Sequence, residues 1–116
     1  MGQMMTLTRV YVNATLPLTA REVYQILKDV ALGTRVMEKT TVPSWSEIYN
    51  ALMPVVIDGW QLMLFNDCDS FDYCEYCKSP DGRVGSLETW QRCGTDLVEL
   101  LSGWEREQLE CLLAVL

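Results

Sequence analysis

The hydrophobic positions first indicate an amphipathic helix near the start of the chain. Apolar residues recur with helical spacing through residues 19–32, so one face of this segment is predicted to be buried. Thr19 and Glu22 have the spacing of a capping box, in which each side chain accepts a hydrogen bond from the backbone of the other. Gly33 favours the left-handed conformation that commonly ends a helix. We therefore predict a helix over residues 19–32.

A second capping box predicts a second, shorter helix. Ser44 and Glu47 have the same spacing as the first pair, and Pro54 is expected to end the helix that follows. One face of this helix is predicted to carry Trp45, Ile48, Tyr49 and Leu52. Residues 34–42 show no comparable pattern and are interpreted as a connector.

Runs of β-branched and aromatic residues between turn signals indicate an antiparallel arrangement of strands. Asp58-Gly59 lies between two apolar runs, which is the strongest short-range signal of a hairpin. Residues 79–82 contain a second turn signature, with proline and glycine. The predicted strands cover residues 6–14, 54–57, 60–66, 71–77 and 83–85. Consecutive hairpins form a meander, because parallel strands would need long crossover connections.

The last third of the chain has helical periodicity. Ser86 is expected to cap one helix, which Gly94 ends, and Thr95 is expected to cap the next. After Gly103 a final helix runs to the end, with one apolar stripe formed by Leu109, Leu112, Leu113 and Leu116. Its last turns are apolar on nearly every side, which predicts burial in the core or a homo-oligomer that covers them.

These elements predict an α+β fold, in which a small antiparallel β-meander packs against an N-terminal helix and C-terminal helices. The 116 residues suit a single domain over 1–116, with residues 1–5 expected to be disordered. The tryptophans are interpreted as core side chains: Trp45, Trp60, Trp90 and Trp104.

Composition excludes several classes of function. The chain has no histidine, which removes catalytic sites that depend on imidazole and zinc sites that contain it. A formal charge of −7 disfavours binding to nucleic acid, which needs a basic surface. No apolar run is long enough to span a membrane, and the first residues lack the pattern of a secretory signal. We expect a cytoplasmic, non-enzymatic protein.

The strongest concentration of charge lies in the segment 67–75. Its carboxylates are Asp67, Asp69, Asp72 and Glu75, and they follow a strongly apolar strand. The segment lacks the glycine that a calcium-binding EF-hand loop needs at its sixth position. One interpretation is a solvated acidic loop at a sheet edge, where charge discourages pairing with another strand. The functional interpretation, which we adopt as a hypothesis, is an acidic surface loop that docks a partner protein with a basic surface, since opposite charges steer association.

A cluster of cysteines offers an alternative function, a small module stabilised by structural zinc. Cys68, Cys74, Cys77 and Cys93 could supply four thiolate ligands, and the C-x2-C spacing of the central pair allows two sulfurs to reach one ion. The competing interpretation is ordinary reduced thiols, some of them packed as small apolar groups. Five cysteines cannot all pair within one chain, so a complete set of disulfides is excluded.

Several short motifs also resemble a known family over roughly residues 18–116. They include Ser44-Trp45-Ser46, Asp58-Gly59-Trp60, Phe65-Asn66-Asp67-Cys68, the Cys74/Cys77 pair and Pro80-Asp81-Gly82-Arg83. The family is one of small, uncharacterised bacterial proteins, found mainly in pseudomonads and known only as a domain of unknown function. The resemblance implies a bacterial, cytoplasmic setting and three of the cysteines without Cys93, and it implies no activity.

Overall fold

The computed structural model describes residues 16–116 as a five-stranded antiparallel sheet with helices packed against it. The strands are β1 (Met37–Lys39), β2 (Asn50–Ile57), β3 (Trp60–Asp67), β4 (Ser70–Lys78) and β5 (Val84–Ser86). The helices are α1 (Ala20–Ala31), α2 (Trp45–Ile48), α3 (Leu87–Arg92), α4 (Leu97–Leu100) and α5 (Gly103–Ala114). The strands lie in the sheet in the order of the chain, so the predicted α+β meander is confirmed. The strand predicted at 6–14 and the disorder predicted at 1–5 lie outside the described residues.

Helix α1 begins and ends where its sequence predicts. The Glu22 backbone amide donates to the Thr19 hydroxyl at 3.2 Å, and the Thr19 amide donates to the Glu22 carboxylate at 3.1 Å. Gly33, just after the helix, has the left-handed conformation with φ +82°. Both predicted capping features are therefore present.

Arg83 fastens the start of α1 to the turn between β4 and β5. Its guanidinium donates to both Glu22 carboxylate oxygens, at 2.8 and 2.9 Å, and to two backbone oxygens just before the helix. Burial acts to raise the pKa of Glu22, but hydrogen bonds from Arg83 and Thr19 outweigh it and hold this pKa below its ordinary value. The helix and the sheet are thus joined by a paired charge as well as by apolar packing.

The core lies between the helices and the inner face of the sheet. Inward positions alternate along β2 and β3 and are fully buried: Met53, Val55, Ile57, Leu62 and Leu64. Trp45 and Trp90 are buried as predicted, whereas 57% of Trp104 is exposed. The interpretation of Trp104 as a core side chain is wrong, because Glu105 turns inward at the start of α5 in its place.

The segment before β3 differs from its prediction in two ways. The connector predicted at 34–42 contains β1, which pairs with the end of β2. Helix α2 ends at Ile48, and Pro54 lies inside β2 rather than at a helix end. The Pro54 carbonyl accepts a hydrogen bond at 3.4 Å from the amide of Thr40, the residue just after β1. The nitrogen of Pro54 points to this same side of β2, away from β3. No hydrogen bond to β3 is lost, which makes proline tolerable here.

The helices of the last third match their prediction except at one cap. Ser86 accepts a hydrogen bond from the Thr89 amide at the start of α3. Asp96, rather than the predicted Thr95, caps α4 by accepting from the Val98 amide at 3.0 Å. Both residue types are good caps, so the local pattern did not distinguish the two positions.

Candidate functional site

The four predicted carboxylates lie together on the hairpin formed by β3 and β4. We call residues 67–75 the acidic hairpin, and its exposed carboxylates are Asp67, Asp69, Asp72 and Glu75. Cys68 and Asp69 form its two-residue turn, with φ values of +53° and +74°. Positive φ at both central positions is typical of turns that match the twist of a hairpin. The segment is therefore two strands and a tight turn, rather than the loop that its composition indicated.

Two β-bulges in β4 decide which side chains of the hairpin face outward. The pairing register with β3 skips Asp72 and Glu75, so each of these residues is the extra residue of a bulge. Inward positions therefore recur at every third residue of β4, and Phe71, Cys74 and Cys77 are all buried. Because a regular strand would turn every second residue inward, the bulges are what leave both carboxylates in solvent.

A buried amide holds the turn of the acidic hairpin in place. Asn66 is fully buried, and its side chain donates to the Trp45 carbonyl at 2.6 Å. The same side chain accepts from the Asp69 amide at 2.6 Å, and the Trp45 indole donates to the Asp69 carbonyl at 3.2 Å. The turn is thus hydrogen-bonded on both sides to α2 and β3, and its charged side chains project from an ordered backbone.

Two further contacts tie the hairpin to its surroundings. The Cys68 amide donates to the Tyr49 carbonyl at 2.7 Å, and the Phe71 amide donates to the Glu110 carboxylate at 2.8 Å. A side-chain hydrogen bond with Cys68, together with the charges of Cys68, Asp69 and Asp67, raises the pKa of Tyr49. The hairpin therefore meets α5 on one side and the α2–β2 connection on the other.

The acidic charge of the hairpin is not neutralised within the described chain. Among residues 16–116, none of its four carboxylates forms an ion pair with lysine or arginine. Burial, followed by the charges of Glu75 and Asp72, raises the pKa of Tyr73. The negative potential of the hairpin therefore extends to a neighbouring side chain on the outer face of the sheet.

Aromatic side chains adjoin the carboxylates on this outer face. The rings of Phe65 and Tyr73 stack with centroids 4.8 Å apart and an angle of 8° between their planes. Both are half-buried cross-strand partners, and Asp72 immediately precedes Tyr73 at the bulge. The exposed surface here combines aromatic rings with unpaired carboxylates.

The cysteines occupy separate environments. Cys74 and Cys77, which we call the core thiols, are packed in the core opposite Leu64 and Leu62. Burial raises the pKa of Cys77 to about 12 and raises that of Cys74 further, so both stay protonated at neutral pH. The core thiols behave as small apolar groups, in line with the competing interpretation of the cysteine cluster.

The remaining predicted zinc ligands lie elsewhere. Cys68 is exposed in the hairpin turn, and Cys93 is exposed at the end of α3. Within residues 16–116, no group of three or more cysteine or carboxylate side chains is placed to hold a metal ion. The zinc hypothesis at Cys68, Cys74, Cys77 and Cys93 receives no support from this arrangement and stays a prediction.

Sequence reasoning missed the residues that organise the hairpin. Asn66 was assigned no role of its own at the end of the predicted strand 60–66, although it continues the inward alternation of Leu62 and Leu64 and so has a polar group at a core position. A buried amide must find hydrogen-bond partners, so this position signals a structural role. The stack of Phe65 on Tyr73 had no such signal, because it depends on the bulged register.

The fold and this site define an α+β protein whose five-stranded meander presents an ordered, unpaired acidic hairpin. The chain belongs to the family described as a domain of unknown function, DUF7693, whose model matches residues 17–115. No curated protein and no solved structure matches the chain. None of the helices described in residues 16–116 has both the length and the hydropathy that crossing a bilayer requires.

Proposed function

We propose that this protein is a non-enzymatic interaction module whose acidic hairpin docks a partner protein through a basic surface. The observation that carries the proposal is the set of four exposed carboxylates, unpaired within residues 16–116, on one hydrogen-bonded hairpin. Opposite charge on a partner would accelerate encounter and fix its orientation. A regulatory or inhibitory role in the cytoplasm would fit such a surface.

The ordered backbone of the hairpin supports a specific contact over diffuse attraction. The hydrogen bonds of Asn66 and the indole of Trp45 already define the turn, so binding would not have to order it. Less conformational entropy is then lost on association, which leaves more of the interaction energy for affinity.

The aromatic rings beside the carboxylates favour arginine as the principal contact residue of the partner. A guanidinium can stack on the exposed part of the Phe65–Tyr73 pair while donating to the Asp72 carboxylate. A lysine ammonium lacks the planar shape for this combination. The proposed surface therefore selects basic partners that are rich in arginine.

The proposal can be tested by fluorescence anisotropy with a labelled peptide of ten arginines as probe. We expect the binding to weaken as salt rises, since at ~0.5 M the screening length falls to a few ångströms. Neutralising the hairpin in the quadruple variant D67N/D69N/D72N/E75Q should weaken binding about 10–100-fold, at ~0.35–0.7 kcal/mol for each of the four exposed charge pairs.

A matched control removes the same charge from other exposed positions. The variant E38Q/E88Q/E99Q/E107Q has the same net charge as the hairpin variant and leaves the hairpin intact. It should bind the probe within a few-fold of the wild-type protein. If both variants weakened binding of the probe equally, the effect would come from the overall charge of the protein, and docking at the hairpin would be contradicted. A decalysine peptide that binds as tightly as decaarginine would contradict the arginine preference.

A further inference from the structure

A second surface, which none of the four hairpin carboxylates lines, is an apolar groove with a volume of about 470 Å³. It lies between the end of α1, the start of β1 and the length of α5. Leu32, Val36, Trp104 and Val115 border it, and between 53% and 80% of each is exposed. Four large apolar side chains exposed around one groove are unusual on an isolated surface.

Helix α5 has two apolar stripes, and only one of them faces the core. Leu109 and Leu113 are fully buried against the rest of the protein. Trp104, Leu112 and Val115, which caps the end of α5, recur at helical spacings of eight and three residues and form a second stripe along the groove. Leu112, in the middle, also packs against the edge of the core, whereas Trp104 and Val115 are exposed. This second stripe explains why the last turns are apolar on nearly every side, and residues 16–116 leave its two ends, Trp104 and Val115, exposed.

The groove is almost free of charge. Among residues 16–116, Arg35 has the only charged side chain that lines it, and its guanidinium is paired with Asp29 at 3.0 Å and Asp58 at 3.3 Å. The chain as a whole has a net charge of −7, so two copies repel each other over most of their surface. The groove is a face on which they can meet without placing unpaired carboxylates against each other. A basic partner, by contrast, is drawn to the acidic hairpin.

We propose that the groove is the interface of a two-fold symmetric dimer of this chain. A two-fold interface uses the same patch on both copies, so the patch must complement itself. The stripe has the bulky Trp104 at one end and the small Val115 at the other, about 16 Å apart along a helix of 1.5 Å per residue. When two α5 helices run antiparallel, the tryptophan of each copy meets the valine of the other, and each groove receives one protruding ring.

The size of the patch is typical of a weak, reversible dimer. Leu32, Val36, Trp104 and Val115 are each between 53% and 80% exposed, so together they present on the order of 400–500 Å² of mostly apolar surface, comparable to the largest patch of a typical monomer. Two copies would then bury about 1,000 Å² in total, at the lower limit for a specific interface. We therefore expect a dissociation constant on the order of 10 µM, so that dimers form at high protein concentration and dissociate on dilution.

Sedimentation velocity of the full chain between about 1 and 500 µM tests this dimer. The wild-type protein should change from monomer to dimer over this range, with no larger species, because a two-fold interface closes on itself. Val115→Glu should raise the dissociation constant at least about tenfold, because it brings a charge into an apolar contact. Val115 is 80% exposed, so this change does not disturb the core.

Val42→Glu is the matched control, since Val42 is 91% exposed, does not line the groove and gives the same change of charge. It should dimerise like the wild-type protein. Raising salt should preserve or strengthen the dimer by screening like charges, whereas it weakens the arginine-rich contact of the acidic hairpin. The two proposals can therefore fail separately.

Three results would overturn the dimer. A wild-type chain that stays monomeric up to 500 µM would assign the groove to another occupant. Unchanged dimerisation of Val115→Glu would place the interface on another face, and growth beyond a dimer would contradict two-fold closure. As a second measurement, the tryptophan fluorescence of the protein should shift to shorter wavelength with concentration in the wild-type protein, because the exposed Trp104 becomes covered, and it should not shift in Val115→Glu.

Discussion

Replacing Asn66 with alanine should destabilise the protein by about 2–3 kcal/mol, at ~1 kcal/mol for each of two lost hydrogen bonds plus the cost of a small cavity. Both bonds are short, at 2.6 Å, and the side chain is fully buried. The Trp45 carbonyl keeps a second donor, the Tyr49 amide at 3.2 Å, and the Asp69 amide lies in an exposed turn that water can reach. Because both partners of Asn66 can still form a hydrogen bond in the variant, the expected loss of stability is smaller than for two buried groups left without any partner.

Urea unfolding, followed by tryptophan fluorescence and far-ultraviolet circular dichroism, measures this loss. With a slope of about 1.5 kcal/mol per molar urea, the midpoint of Asn66→Ala should fall by about 1–2 M. The control is Gln61→Ala, which changes an exposed position of the same strand. It should shift the midpoint by no more than about 0.3 M, because exposed substitutions away from special features cost ~0.5 kcal/mol or less.

The same variant tests whether an ordered turn matters for docking. If the hydrogen bonds of Asn66 hold the acidic hairpin in shape, Asn66→Ala should bind the decaarginine probe several-fold more weakly at a temperature where it stays folded. A midpoint equal to that of Gln61→Ala would refute the structural role of the amide. A lowered midpoint with unchanged binding would refute its role in preorganising the site.

Three further predictions concern the thiols, the fastening of α1 and the sheet edge. Ellman's reagent should react with three thiols in the native protein and with five after unfolding, because the core thiols are buried and their pKa values are raised. Rapid reaction of all five thiols in the native protein would contradict that burial. Arg83→Met should lower stability by about 1–3 kcal/mol at pH 7. The lowered pKa of Glu22 means that the ion pair contributes fully above the unfolded value near 4.3 and is lost as pH falls through the folded value. The difference in stability between the variant and the wild-type protein should therefore narrow under acid to what the hydrogen bonds of Arg83 to the Leu16 and Pro17 carbonyls contribute. A difference in urea midpoint that does not change with pH would exclude the ion pair as its cause. Gly85→Ala should lower the free energy of unfolding by about 1–3 kcal/mol, because the added carbon would lie 2.9 Å from the Leu18 backbone oxygen and 2.9 Å from a ring carbon of Trp90. Gly103→Ala is the control, since its added carbon meets nothing within 4 Å. Equal melting temperatures of the two variants would disprove the close approach at Gly85.

Local signals along the chain were enough to predict most of the elements. The two capping boxes, the Asp58-Gly59 turn and the apolar run over residues 60–66 act over a few residues each, and the elements that they predict are present in the structure. The strand β1 was missed because three residues are too few to show a period. Pro54 was misread because its tolerance depends on where the neighbouring strand ends, which no local pattern records.

The candidate site divides in the same way. Its four carboxylates could be predicted from the sequence alone, because the charge of a side chain follows from the residue type and residues close in sequence stay close in space. The period of three in β4, which turns the core thiols inward and leaves Asp72 and Glu75 in solvent, comes from two bulges in the pairing with β3. Short-range preference therefore decided the helices, turns and charge, while pairing between distant segments decided which side chains are buried, because burial depends on what the rest of the chain places against each residue.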